Sequence, residues 1–248
     1  MVNLVDQAKY GLSQIPKLVE KVKKLPEISK ETYSELHTDY LVPLDIKIDC
    51  DSFLEEIEPY DQYLRPWGGM EKQSSVELGG IPLVNMTGEL TGIDRSMGSL
   101  SKWCLDHPDE PIIDTDFRTP TEILGIDSLK ALRVFDKYWT KSSILKWGKG
   151  AEFPPHVDTF VPAYWYRLWS PLSADILVEF NTKNSFLKDQ YSVRVMNLEP
   201  GRIYLIDTSV VHYAQALANN VYQLFLSVDP GATELIKELI NKHKDIKD

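Results

Sequence analysis

Seven short β-type runs fill the chain after Tyr138, and they limit its fold more than any other feature. They are Ser143 to Trp147, Tyr164 to Ser170, Asp175 to Asn181, Tyr191 to Met196, Arg202 to Ile206, Val210 to Ala214 and Val221 to Val228, each broken by turn-forming residues. Runs of this length and spacing predict an antiparallel sandwich or barrel. Thr233 to Lys244 predicts a closing helix.

The first half reads differently. Leu4, Val5, Ala8, Leu12, Ile15, Leu18, Val19 and Val22 have amphipathic-helix spacing, with Pro16 expected to bend or split the helix. Residues 28 to 36 predict a second short helix with Ser29 as N-cap. Asp51 to Tyr63 and Pro120 to Lys137 predict further helices, the latter capped by Thr119 and carrying Leu124, Leu129, Leu132 and Phe135. Val76-Glu-Leu78 and Ile81 to Asn85 are candidate strands around Gly79-Gly80. The expected organisation is a helical and irregular region over 1–140, a β core over 141–232 and a C-terminal helix over 233–248.

Within the β half, His156-Val-Asp158 lies upstream of His212, and the whole chain has five histidines. Residues two apart on an extended strand share a face, so one short segment supplies both a nitrogen and an oxygen donor. Two imidazoles and a carboxylate are the donor set of the facial triad that holds Fe(II) with positions left open. A single histidine is most often structural; the HxD pairing and the second histidine after a strand and turn favour the metal reading. His37, His107 and His243 have no partner spacing and read as surface residues. Asp207, ahead of Thr208-Ser209, reads as a turn residue bonded to nearby backbone. Arg65-Pro-Trp67-Gly-Gly69 is turn chemistry. Tyr164, Trp165, Tyr166 and Trp169 form an aromatic cluster divided between core packing and a substrate wall.

Composition narrows the partners. Hydrophobic residues make up 43% of the 248, enough for a filled core, and the formal charge is −10. That net field opposes nucleic acid and anionic membranes. The chain has no apolar run near the roughly 20 residues that span a bilayer. Its start lacks the basic and apolar pattern of a signal peptide, so a soluble, cytoplasmic protein is expected. Cys50 and Cys104 are too few for a disulfide framework.

Five blocks carry a resemblance. They are Gly150-Ala-Glu-Phe-Pro-Pro-His156-Val-Asp158, Arg167-Leu-Trp-Ser-Pro-Leu172, Pro200-Gly-Arg-Ile-Tyr-Leu-Ile-Asp207, Val211-His212 and Tyr222-Gln-Leu-Phe-Leu-Ser-Val-Asp229. In order and spacing, residues 143–230 resemble the aspartyl/asparaginyl β-hydroxylase branch of the Fe(II)/2-oxoglutarate-dependent dioxygenases. The resemblance implies a mostly β fold with flanking helices around a double-stranded β-helix (jelly-roll, cupin-like) core. It implies Fe(II) held by His156, Asp158 and His212, with 2-oxoglutarate as co-substrate. Dioxygen is then the oxidant, and an unactivated C–H bond of an amino acid, peptide, protein or small molecule is hydroxylated.

Arg167 matches an arginine that family members set against the co-substrate. The closing strand departs from the family: Gln223 stands where an arginine usually grips the distal carboxylate, and an amide cannot form that bidentate ion pair. Arg202, Lys146 and Arg167 are the candidate replacements. Trp165 and Trp67 are the candidate substrate-facing aromatics. Two rival readings are a jelly-roll metalloenzyme that does not use 2-oxoglutarate, which Gln223 favours, and a non-catalytic binding module with a remnant metal site.

Overall fold

The computed structural model describes residues 12–26, 28–66, 78–90, 100–158, 166–173, 175–181, 193–195 and 198–245. Trp67, Trp165, the glycines of the 65–69 turn and the helical pattern over 3–11 lie outside them.

In chain order the strands are β1 (Leu41–Lys47), β2 (Arg65–Pro66), β3 (Leu78–Asn85), β4 (Thr119–Pro120), β5 (Ser142–Trp147) and β6 (Glu152–His156). They continue with β7 (Tyr166–Pro171), β8 (Ile176–Asn181), β9 (Val193–Val195), β10 (Arg202–Ile206), β11 (His212–Ala216) and β12 (Val221–Val228). One sheet runs β1-β10-β7-β12-β5-β3-β2 with β4 beside β3, and the other runs β6-β11-β8-β9. From β5 to β12 the chain places four strands in each sheet, in the orders β10-β7-β12-β5 and β6-β11-β8-β9. That strand order is the double-stranded β-helix, and every described pairing is antiparallel.

The large sheet has two apolar faces. One alternation, with Leu145, Trp147, Trp169, Tyr204 and Val221, packs against Ile176, Val178 and Ala216 of the small sheet and forms the interior between the sheets. The other, with Ile144, Leu168, Leu205, Leu224 and Leu226, is covered by Phe53, Leu129, Leu132, Phe135, Ile236 and Leu239 from the flanking helices. Two covered faces explain why the strands read as near-continuous apolar runs.

Several local readings are corrected. Pro120 to Lys137 does not form an α-helix. Pro120 pairs with Val84 in the sheet, and two 3-10 segments follow, Glu122–Gly125 and Asp127–Phe135. Leu129, Leu132 and Phe135 are spaced by three, which aligns them on one face of a three-residue turn, and all three are fully buried. Pro59 likewise begins a 3-10 segment, Glu58–Tyr63, behind the helix Cys50–Ile57, which Asp49 caps. β3 runs straight through Gly79-Gly80, where β2 pairs closely. β1, absent from the expected strands, extends the sheet beside β10. β6 lies on a sheet edge, where Pro154-Pro155 cost no ladder bond, and it ends at His156, so Asp158 follows the strand rather than sharing it. Ser29 does cap its helix, accepting from Thr32 N at 3.1 Å.

Gly201 shows how tightly β1 is joined to the core. Its φ is +79°, and an added Cβ would lie 2.2 Å from Ile48 O. The Ile48 amide donates to Gly201 O at 2.8 Å, so that carbonyl strand cannot drift away cheaply. Gly201→Ala is expected to cost more than the ~1–2 kcal/mol of left-handed backbone alone, read as a lowered melting temperature. Gly150→Ala, at a φ of +83° with open space around it, is the milder comparison.

Candidate metal centre

The β6 and β11 strands are neighbours, and their register places His156 directly opposite His212. Cross-strand pairing thus unites residues far apart in sequence, and the imidazole centroids are 4.2 Å apart. Asp158 follows β6 and is anchored by its own amide, which donates to Thr208 O at 3.1 Å. One donor atom from each of His156, Asp158 and His212 lies within 4.8 Å of the other two. His156 Nε2 and Asp158 Oδ1 are 3.7 Å apart.

Both imidazoles are held in the same way. His156 Nδ1–H donates to Pro154 O at 2.8 Å, and His212 Nδ1–H donates to Val210 O at 3.0 Å. Each bond places the ring proton on Nδ1 and leaves the Nε2 lone pair as the donor, which is how ligating histidines are oriented. Burial holds the His212 pKa below the usual imidazole range, with the charge of His156 acting the same way. Burial alone would raise the Asp158 pKa, but the Arg167 guanidinium and the two imidazoles outweigh it and keep the carboxyl below its ordinary range. The set is therefore two imidazole nitrogen donors and one carboxylate, which fits a divalent cation of the iron, manganese or zinc type.

Arg167 sits behind this set. Its Nη1 is 2.6 Å from Asp114 Oδ2, its Nε is 3.5 Å from Asp158 Oδ2, and Nη1 also donates to Ser227 Oγ. The Arg167 side chain is 11% exposed and that of Asp114 5%, so this is a buried ion pair, with the half-buried Asp158 carboxylate beside it. Asp114, which opens the 3-10 turn Asp114–Asp116 before β4, had no signal in the sequence: one of several acidic residues around Pro111-Ile112-Ile113, it looks like any loop residue.

The other two basic candidates are held by carboxylates of their own. Lys146 alternates with Leu145 and Trp147 and so faces the opposite side of the sheet, where it pairs with Asp61 beside the Tyr222 ring. Arg202 is clamped by Glu199 at 3.1 Å and by Leu44 O at 3.3 Å. Lys47 completes that cluster and, with Arg202, lowers the Glu199 pKa to about 2.

Gln223 does face the interior. It is 2% exposed, and its Oε1 accepts from Trp169 Nε1 at 2.5 Å. Fit to 2-oxoglutarate is accordingly divided. The donor set suits the metal that a 2-oxo acid would chelate. Among the described residues, each of the three basic candidates for the distal carboxylate already has a carboxylate partner.

Other sequence readings fall into place around the centre. Asp207 accepts from Ser209 N at 3.0 Å, Ser209 Oγ at 2.6 Å and Tyr33 Oη at 3.0 Å, a turn role. His37 and His243 are not surface residues. His37 stacks on Tyr33 with ring centroids 3.8 Å apart, and His243 is 6% exposed within the C-terminal helix. Both were misread because a short apolar surrounding in three dimensions leaves no spacing signature. His107 is exposed, lying against Trp103. Tyr166 packs on the helix-covered face, its hydroxyl 2.8 Å from Thr233 Oγ1. No described helix is long and apolar enough to cross a membrane.

No protein-family model and no curated protein matches the chain. Among solved structures, it is similar to an oxidoreductase of the 2OG-Fe(II) oxygenase family from Burkholderia pseudomallei, at 11% identity over 83% of this chain and 92% of that one, TM-score 0.41. A Pseudomonas putida prolyl-4-hydroxylase is similar at 11% identity over 80% of this chain and 97% of that one, TM-score 0.41. EvdO2 from Micromonospora carbonacea var. aurantiaca, complexed with 2-oxoglutarate, is similar at 12% identity over 82% and 92%, TM-score 0.40. The assignment of the double-stranded β-helix rests on the strand order given above.

Proposed function

We propose that the chain is a non-haem Fe(II)-dependent oxygenase in which His156, Asp158 and His212 hold the ion and a 2-oxo acid, the class that includes 2-oxoglutarate, serves as co-substrate. The observation that carries this reading is the convergence of two Nε2 lone pairs and one carboxylate, each oriented by a bond of its own. The five-block resemblance to the aspartyl/asparaginyl β-hydroxylase branch supports the same assignment. The bound ion would supply the redox centre for dioxygen activation and oxidation of a C–H bond in an amino-acid, peptide or small-molecule substrate.

The protein's own part is orientation and exclusion of water. Pro154 O and Val210 O hold the imidazoles in the binding tautomer. Arg167 fixes the Asp158 carboxylate from behind and is itself fixed by Asp114. Phe153 lies between Trp147 and His156, with centroid distances of 5.0 and 6.0 Å, and shields the inner side of the centre. Trp67 and Trp165 remain the proposed substrate-facing aromatics.

Anaerobic Fe(II) titration is expected to show about one bound ion per chain. Subsequent exposure to oxygen with a 2-oxo acid is expected to release CO₂ only when iron is present. Absence of iron affinity, or turnover independent of iron, sinks the reading. The neutral Gln223 favours a second account, a jelly-roll metalloenzyme without a 2-oxo acid; oxygen uptake with no 2-oxo acid consumed would select it.

A further inference from the structure

We propose that the interior around Gln223 is a subsite for an uncharged carbonyl oxygen, so that the co-substrate is a 2-oxo acid with a neutral far end rather than a dicarboxylate. The inference rests on the metal reading above and adds the chemistry of the ligand's other end.

The orientation of the Gln223 amide is set by chemistry. The indole N–H of Trp169 is a donor only, so the oxygen of Gln223 must face it, and Nε2 must face away. That Nε2 is buried and, among the described residues, has no hydrogen-bond partner. A buried donor left unpaired is destabilising, and native structures rarely carry one without a reason. A second such donor, Trp147 Nε1, is on the same interior face; it too is buried without a partner. In the register, Trp147 opposes Val221 while Gln223 opposes Leu145, so the two donors are diagonal neighbours. Ring contacts through Phe153 then lead from Trp147 to His156. The interior thus offers acceptor-seeking groups on a line that begins at the metal ligands.

What surrounds Gln223 decides the charge of the acceptor. Leu145 and Pro171 stand directly opposite it, with Trp147 and Trp169 on the diagonals. None of these carries a charge. Among the described residues no unpaired cation stands beside it, so a carboxylate delivered here would be far costlier than a neutral polar group. A carbonyl oxygen of an ester or amide accepts the Nε2–H and brings no charge.

The test compares 2-oxoglutarate with its 5-methyl ester, two ligands that share the metal-chelating end and differ at the far end. Calorimetric titration of the Mn(II)-loaded wild-type protein is expected to give at least roughly tenfold tighter binding of the ester. Gln223→Met, close in volume, is expected to weaken the ester about tenfold and leave Mn(II) affinity unchanged, with its melting temperature as the folding control. Gln223→Arg is expected to reverse the preference. Equal or tighter binding of the dicarboxylate by wild type overturns the proposal, as does an ester affinity untouched by Gln223→Met. Failure of Mn(II) to bind at all is a different result and overturns the metal reading instead. The wild-type comparison needs no variant to fold.

Discussion

His212→Ala is expected to lower Mn(II) affinity by more than about 100-fold, and His156→Ala to do the same. Loss of a partner that only orients a ligand typically costs about 10–100-fold, and removing a ligand outright must exceed it. The site tolerates no substitute, because its donors come from two strands whose register is set by the sheet. The effect is direct: with one imidazole gone, the remaining nitrogen and carboxylate form a weak bidentate site. Electron paramagnetic resonance titration of free Mn(II) measures it without any substrate. The exposed His107→Ala serves as the control and is expected to bind like wild type. Affinity within threefold of wild type in both ligand variants would refute the assignment.

The second large effect is on stability. Asp114→Asn retains size and hydrogen-bonding shape but leaves Arg167 with Asp158 as its one counter-charge. Because Asp158 still compensates Arg167, the expected cost is that of one charge-assisted hydrogen bond, about 1.5–3 kcal/mol. At roughly 2–4 °C per kcal/mol for a chain of this size, the melting temperature is expected to fall by about 3–12 °C. Asp109→Asn is the counterpart on the surface. Its pair with Lys17 is 61% and 90% exposed at the two side chains, so solvent screens it and no measurable change in melting temperature is expected. Equal small effects from the two substitutions would mean that the Arg167–Asp114 pair is not the buried linkage drawn here. Weakened Mn(II) binding in Asp114→Asn would show in addition that the charge behind Asp158 helps to orient it.

The readable parts of the chain share a property. The strands after Tyr138 were legible because each run is short, apolar and closed by turns, and all seven expected runs match observed strands to within two residues at either end. Legibility failed where local and tertiary demands differ. The extended reading of His156-Val-Asp158 ran past the end of β6 at His156, and the three-residue spacing from Leu129 to Phe135 was taken for an α-helical face. β1 went unseen because its pairing partner, β10, lies more than 150 residues away. Lys146 looked equivalent to Arg167 as a cation, until strand alternation placed the two on opposite faces of one sheet.

By itself the sequence determined the donor types, the short-strand texture and the neutral residue at position 223. Those are matters of residue identity and local period, which survive without coordinates. The tertiary structure decided which of these residues meet. Cross-strand register brought His156 opposite His212, the packing of one sheet on the other made the face of Gln223 and Trp147 an interior, and a distant 3-10 turn delivered Asp114 to Arg167. Charge pairing is a property of proximity in space, so no reading along the chain reveals that Arg167 is already engaged or that the amide of Gln223 is still without an acceptor.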